Sequence, residues 1–391
     1  MKHNVCVVTG SRAEYGLLRS LLFRLRDDEG ISLQLVVTGS HLSRTFGNTQ
    51  KEIESDGFKI NTRIAIPLEG DSKADMAKAA GAALIAFSDY FDKNRPDLLI
   101  VLGDRYEIFA ACTAATIQGI AIAHISGGDV TEGALDDTFR HCITKMSFLH
   151  FPGCKKSAER IVRLGEDPSR VFAVGEPGVE NCLSVPFLSI SELQAGLGFD
   201  IIEKPYSIVT FHPVTNENNT AEAQVAELIL ALENFPNMSF IITKANADAG
   251  GRTINEIWNE QVKAHANWLL VSSLGVERYI SAMKYAVMII GNSSSGIVEA
   301  PAMKKPTINI GNRQKGRMMA ESIISCAPVA EEITKAINKA MSSEFKAITA
   351  SVQNPFGDGN TSEKIMRKIK EFLSSDNKNI KKEFYDLEVK L

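Results

Sequence analysis

Short apolar runs recur along this chain, and segments with an apolar residue every three or four positions separate them. In the first half the runs Val5–Thr9, Leu33–Thr38, Leu98–Leu102, Ile120–Ile125 and Phe148–Phe151 predict strands. Between them Glu14–Arg26, Ala74–Asp92, Tyr106–Gln118 and Leu135–Lys145 predict helices. Strand and helix alternating in this way imply a parallel sheet with crossover helices, wound on both faces. The stretch "RVFAVGEPGVEN" predicts one more strand and then a Gly/Pro break at Gly175–Gly178. The alternation restarts beyond it, with strands at Ser207–Phe211, Ser239–Thr243, Trp268–Val271, Val287–Ile290 and Thr307–Ile310. The matching helices are Ala221–Asn234, Arg252–His265, Val276–Lys284 and Ile297–Ala302.

The fold class is therefore α/β, with two doubly wound, Rossmann-like domains in tandem. We place the first at residues 1–175 and the second at 176–358. Residues 359–391 form a helix packing back on the first domain and a polar, Lys-rich tail. Beyond Ser374 that tail reads as a partly exposed helix or a frayed end. Two such sheets would turn their carboxyl ends toward one cleft, the place where open α/β sheets bind ligands.

Composition narrows the classes. A chain of 391 residues is long for one core, which agrees with two domains. The net charge of −4 carries no nucleic-acid footprint. No run approaches eighteen consecutive apolar residues, so no membrane span is expected. The N-terminal apolar run is shorter than the ~7–15 residues of a signal-peptide core. Cys6, Cys112, Cys142, Cys154, Cys182 and Cys326 are scattered without metal-type spacing and read as mostly buried thiols of a cytoplasmic protein. Neither a zinc pattern nor a dinucleotide fingerprint can be assembled, so no metal and no cofactor are expected.

The candidate chemistry lies just after the strands. "GSRAEYG" (10–16) places Arg12 and Glu14 where a first strand gives way to a helix, a position that favours anions. Arg12 is either a surface salt-bridge partner or a ligand for a phosphate-bearing substrate. Glu14 reads better as a helix-start charge than as a catalyst. "IIGNSSSGIVEAPAM" (289–303) runs from a strand through a small-residue loop into a helix, and could cradle a diphosphate or merely carry a serine cap. "NIGNRQKGR" (309–317) follows the next strand and adds Arg313, Lys315 and Arg317, as an anion site would want.

"VLGDRYE" (101–107) puts Asp104, Arg105 and Glu107 at a strand end. "AHISGGDVTEGALDDTFRH" (123–141) adds His124, Asp129, Glu132, Asp136, Asp137, Arg140 and His141. Helix capping explains one of these acids, but not so many. Carboxylates facing a cleft can exchange protons with a substrate. His212, in "VTFHPVTNEN", and Asn246 and Asp248, in "TKANADAGG", follow strands of the second domain as structural residues or polar ligands.

These stretches, in order, resemble the hydrolysing UDP-N-acetylglucosamine 2-epimerases, the bacterial NeuC-type enzymes of sialic acid synthesis. The resemblance covers residues 1 to about 320 and includes V-T-G-S-H, L-G-D-R-Y-E-I-F, D-D-T-F-R-H-C-I-T-K, F-H-P-V-T, N-A-D-A-G, I-G-N-S-S-S-G and I-G-N-R-Q-K-G-R. It implies the glycosyltransferase-B arrangement of two domains, a homodimer, and the conversion of UDP-N-acetylglucosamine and water to N-acetylmannosamine and UDP through 2-acetamidoglucal. It also implies that Arg12 lies near the diphosphate, that Ser293 and Ser294 are phosphate ligands and that Arg313 belongs to the nucleotide site; Gly296 joins the substrate-binding set, and the ligand is expected to bridge the two domains. Glu299 falls on the family's ribose ligand, and Arg105, Glu107 and Asn246 belong with the substrate-binding set. Asp104, Asp129, Asp137 and His212 fall on the chemistry. One departure stands out. Many relatives read H-I-E-G-G-E where this chain reads His124-Ile125-Ser126-Gly127-Gly128-Asp129, so Ser126 replaces an acid and Asp129 stands for the second Glu. Which carboxylate takes the C2 proton is thereby left open. So is the sugar, since a 2,4-diacetamido-6-deoxy relative would need few pocket changes. A non-hydrolysing epimerase and a glycosyltransferase are the other readings.

Overall fold

A computed structural model describes residues 2–44, 47–68, 72–131, 135–213, 221–245, 251–375 and 379–388. It divides into two compact units, the first of residues 1–129, 135–180 and 360–391, the second of residues 130–134 and 181–359.

The first unit opens with β1 (His3–Thr9), α1 (Arg12–Asp27), β2 (Ile31–Thr38), α2 (Gln50–Ser55), β3 (Thr62–Ile64) and α3 (Lys73–Lys93). It continues with β4 (Leu98–Leu102), α4 (Tyr106–Ile117), β5 (Ile122–Ile125), α5 (Leu135–Met146), β6 (Leu149–Phe151) and α6 (Lys155–Arg163). The chain leaves it along α7 (Pro177–Ser184). The strands lie parallel in the order β3-β2-β1-β4-β5-β6. Side chains alternate across a strand, so each strand feeds two cores. Val5 and Val7 pack with Leu18, Leu22 and Leu25 of α1, whereas Cys6 and Val8 pack with Phe87 and Phe91 of α3 and Ile108 of α4. β4 is buried throughout, as expected of a central parallel strand covered on both faces.

The second unit contains α8 (Ile190–Leu197), β7 (Tyr206–Thr210), α9 (Ala221–Glu233), β8 (Ser239–Thr243), α10 (Gly251–Ala264), β9 (Trp268–Val271) and α11 (Gly275–Tyr285). Then follow β10 (Ile289–Gly291), α12 (Ser294–Val298), β11 (Thr307–Ile310), β12 (Ile323–Cys326), α13 (Ala330–Met341) and α14 (Ser343–Ser351). Its parallel order is β12-β11-β10-β7-β8-β9. Counted from the first strand of each unit, the two sheets share one order, 3-2-1-4-5-6. The order reverses between β1 and β4 in one and between β7 and β10 in the other, and such a reversal opens a crevice at the strand ends. The two doubly wound units match the α/β class expected from the sequence.

Four details differ from the expected pattern. The strand anticipated in "RVFAV" is a single bridge from Val171 to His150. The helix anticipated at Ile297–Ala302 starts earlier, at Ser294, because the Ser293 side chain caps it by accepting from the Ser295 amide, and it ends at Val298, before Pro301. Two edge strands, β3 and β12, escaped the pattern. β3 has three residues of which one is buried, and no residue of β12 is fully buried, so neither presents an apolar run. The last helix, α15 (Thr361–Leu373), buries Ile365, Ile369 and Leu373 in the core shared with α1. Residues 379–388 beyond it are not helical and not frayed: Lys382 Nζ reaches Glu166 at 2.8 Å and the Tyr385 amide donates to Gly165 O at 3.0 Å.

Candidate active site

At the reversal point of the first unit, the chain turns from β1 through Gly10–Ser11 into α1, and from β4 through Gly103–Arg105 into α4. Asp104 lies in the second of these turns. Its carboxylate makes a short contact with the guanidinium of Arg140, a buried residue of α5. The same guanidinium donates to Asp137 Oδ1 at 3.3 Å and to the backbone carbonyl of Asp129 at 3.1 Å. Asp137 also meets His141 Nε2 at 3.5 Å. Two acids singled out from the sequence, Asp104 and Asp137, thus meet one arginine through their carboxylates, and Asp129 meets it through its backbone carbonyl with its charge nearby. Burial works against that arginine's charge, but Asp104 and Asp129 more than offset it, so it stays protonated.

Arg105 and Glu107 form a second cluster beside this one. Arg105 Nε donates to Glu107 Oε1 at 2.6 Å and lies 3.9 Å from Glu14 Oε1. Glu107 is fully buried and Glu14 nearly so. Glu14 accepts from the Gly10 amide at 2.7 Å. Burial, and then the charge of Glu107, push the Glu14 carboxyl up to about 8. Glu14 is a helix-start acid, as read from the sequence, and α1 turns this first-turn carboxylate inward under the β1 turn to face Glu107. Arg12 points elsewhere and pairs with Glu52 of α2 at 2.9 Å, with both side chains more than a third exposed.

At the end of β5, His124 Nε2–H donates to Gly103 O at 2.8 Å, and Nδ1 lies 3.2 Å from Thr144 Oγ1. Burial lowers its pKa to about 3, so this histidine is neutral and braces the β4 turn. Ser126 follows it and donates its hydroxyl to Glu176 Oε2 at 2.6 Å.

The reversal point of the second unit is built differently. Gly291 closes β10 at φ 132°, and a Cβ there would sit 1.9 Å from Thr210 O of β7, so only glycine lets these strands end side by side. The Asn292 side chain accepts from the His212 amide at 2.7 Å and donates to the His212 carbonyl at 2.8 Å. The Asn292 carbonyl accepts from Arg313 Nη1 at 3.0 Å and from Gln314 Nε2 at 2.8 Å. One asparagine therefore joins the β7, β10 and β11 loops. Burial, then the charge of Arg313, lowers the His212 pKa to about 3 and keeps the ring neutral. Ser293 caps α12 and Ser294 begins it. Tyr279 Oη lies 2.8 Å from Ser295 Oγ, which in turn donates to the half-buried Glu299 carboxyl, whose pKa desolvation raises. The Gly296 carbonyl accepts from Thr307 Oγ1 at 2.7 Å, and a Cβ at Gly296 would meet Thr307 at 2.9 Å, so this glycine packs α12 onto β11.

Asn246, Glu132 and Asp248 lie outside the described residues. Asn292, Gln314, Tyr279 and Glu176 were not anticipated individually. Asn292 and His212 are 80 positions apart, and nothing local in either stretch pairs them. Among the described residues no group of three His, Cys, Asp or Glu side chains could hold a metal ion, and no helix is long and apolar enough to cross a membrane.

The chain is similar to several known proteins over nearly its whole length. It is 40% identical over 346 residues, 88% of this chain and 89% of the relative, to the GDP/UDP-N,N'-diacetylbacillosamine 2-epimerase (hydrolyzing) of Campylobacter jejuni. It is 38% identical over 384 residues, 98% of this chain and 97% of the other, to the polysialic acid biosynthesis protein P7 of Escherichia coli. In fold it matches the UDP-GlcNAc 2-epimerase of Neisseria meningitidis bound to UDP-GlcNAc, with a TM-score of 0.81 at 18% identity over 94% of this chain and all of that one. The sequence profile of one family matches residues 24–370, and on that match and on the 40% identity the chain belongs to the UDP-N-acetylglucosamine 2-epimerase family.

Proposed function

We propose that the chain is a hydrolysing 2-epimerase of a UDP-2-acetamido sugar, yielding UDP and the free sugar inverted at C2. The gathering of the Asp104 and Asp137 carboxylates on Arg140, with the charge of Asp129 nearby, is the observation that carries this reading. A binding protein would need contacts to the ligand but no set of acids at the strand ends.

The chemistry explains why acids and anion-binding groups are both required. The C2 proton of the sugar has no adjacent carbonyl to acidify it. It leaves only as positive charge builds at C1 while UDP departs, so the site must hold the diphosphate and present a carboxylate at C2. The terminal phosphate of UDP, with a second pKa near ~6, leaves with little protonation. Cations and polar hydrogens suffice for it, and we assign Arg313, Ser293 and Ser294 to that task. A hydrogen bond to a charged group contributes about 1.5–3 kcal/mol, so three or four of them supply much of the leaving-group stabilisation. Neutral His212 suits a donor or acceptor beside the diphosphate, because a buried neutral ring costs less than a buried charge. Elimination across C1–C2 gives the 2-acetamidoglycal. Water then adds at C1 and a proton returns to C2 on the opposite face. Arg140 keeps Asp104 and Asp137 in place for these transfers.

Two sugars fit the reading. UDP-N-acetylglucosamine would give N-acetylmannosamine, in line with the polysialic acid protein of Escherichia coli. The 2,4-diacetamido-trideoxy sugar is favoured by the similarity to the Campylobacter enzyme. Incubation of the protein with each UDP-sugar alone tests both, and the larger kcat/KM names the substrate. Release of UDP with a C2-inverted free sugar is the expected result. Formation of a UDP-linked epimer would mean a non-hydrolysing enzyme, and no turnover of either sugar would remove the 2-epimerase reading in favour of a transferase.

A further inference from the structure

Ser126 stands at φ 60°, a left-handed conformation that residues other than glycine adopt infrequently, and its hydroxyl carries no charge where the chain turns out of β5. A carboxylate reaches the same point from fifty positions away, as Ser126 Oγ donates to Glu176 Oε2 at 2.6 Å. Gly153 makes the room for it. A Cβ at Gly153 would lie 1.8 Å from Glu176 Oε1 and 2.4 Å from its Cγ, so any other residue there would expel the Glu176 side chain. The neighbouring strand ends fix where this carboxylate sits. Leu102 of β4 pairs with Ile125 of β5, which pairs with Phe151 of β6. The Gly103 amide donates to Ile125 O and the Ser126 amide to Phe151 O. Glu176 therefore stands one strand along from the Asp104 turn, and it is only half-buried.

We propose that Glu176 is a catalytic carboxylate, brought to the end of β5 by Ser126 and Gly153, and that it takes the C2 proton of the sugar. The assignment rests on the 2-epimerase reading above. In the step, the C2–H bond breaks and its proton passes to the Glu176 carboxylate. The bonding pair becomes the C1–C2 double bond, and the C1–O pair leaves with UDP. Water oxygen then bonds to C1 and gives up a proton, while the C1–C2 double-bond pair takes a proton at C2 from the other face, the role left to the Asp104 and Asp137 group. Glu176 also immediately precedes α7, and a purely structural role there would affect stability without changing the pH profile.

The test compares wild type, Glu176→Gln and Ser126→Ala on both UDP-sugars. Glutamine keeps the size of the side chain and can still accept from Ser126, but cannot take a proton. We expect kcat to fall by about 100-fold or more in Glu176→Gln while KM changes by less than about threefold, the range general-base loss commonly produces. Ser126→Ala removes a hydrogen bond that favours the ionised carboxylate, so the acid limb of its kcat profile moves to higher pH. This second variant also decides the matter should Glu176→Gln fail to fold. A wild type that yields no C2-inverted sugar overturns the 2-epimerase reading itself. An active wild type beside a Glu176→Gln enzyme of equal kcat, or an acid limb unmoved in Ser126→Ala, overturns the Glu176 assignment alone.

Discussion

The two units share a strand order, yet their reversal points carry opposite chemistry. Between β1 and β4 the loops collect carboxylates: Asp104 on Arg140, and the buried Glu14 and Glu107 around Arg105. Between β7 and β10 the described residues at the strand ends are His212, Asn292 and Ser293, with Arg313 held on the Asn292 carbonyl. The first arrangement can move protons. The second offers a neutral ring, hydroxyls and a cation, which suit an anion that must be held and released. A topology that fixes where a crevice lies leaves its charge to a handful of loop residues.

That contrast breaks most visibly where the acids are changed. Asp137→Asn is expected to lower kcat by about 10²–10⁴-fold while leaving the affinity for UDP within about twofold, if the acid, as proposed above, serves proton transfer and not the diphosphate. Steady-state kinetics beside calorimetry with UDP measures both numbers. A UDP affinity that falls in step with kcat would mean that the acid cluster merely holds the fold of its loop. The complementary change on the other sheet, Arg313→Ala or Ser294→Ala, should raise the dissociation constant of UDP about ten- to a hundredfold, the loss of one charge-assisted contact. Unchanged affinity in both variants would dissolve the distinction between the sheets.

Much of this organisation was legible in the sequence, for physical reasons that can be named. β4 and β8 are short, apolar and bounded by polar loops, so their ends could be read to the residue. The acids of the first unit were legible because 129–141 is too polar for a plain crossover. The pairing of Asn292 with His212, and of Ser126 with Glu176, was not, since each joins loops that only the strand order brings together. The burial of Glu14 was not legible. A charge in the first turn of a helix ordinarily faces water, and only the packing of Glu107 beneath the β1 turn shows that this one does not.

A middle-sized effect separates holding from contacting. Asn292→Ala removes two buried hydrogen bonds to the His212 backbone and should destabilise the protein by about 1–3 kcal/mol in denaturant unfolding. His212→Ala leaves both of those bonds in place and should lower activity more than stability. If the two variants behave alike in melting and in kinetics, the ring and the backbone clamp are one structural element, and His212 has no separate part in the site.

The last expected effect concerns Glu14 and the pH dependence of stability. Burial and the Glu107 charge raise its pKa from the ordinary 4.5 to about 8 in the folded chain. Between those values the folded state keeps a proton that the unfolded state has lost. Linkage then requires stability to fall as pH rises from about 4.5 toward about 8, and to level off above that. Glu14→Gln can still accept from the Gly10 amide, and it is neutral at every pH. Its unfolding free energy should therefore lose less between pH 5 and pH 8 than that of the wild type, and the variant should be the more stable of the two at pH 8. Glu299, an acid of the second unit whose pKa is also raised, contributes equally to both proteins, so the difference between the two curves isolates Glu14. Urea unfolding at four pH values from 5 to 8 measures it. Parallel curves would mean that Glu14 is ionised throughout, that Arg105 neutralises it fully, and that the acid crowding which distinguishes the first unit from the second ends at Asp104.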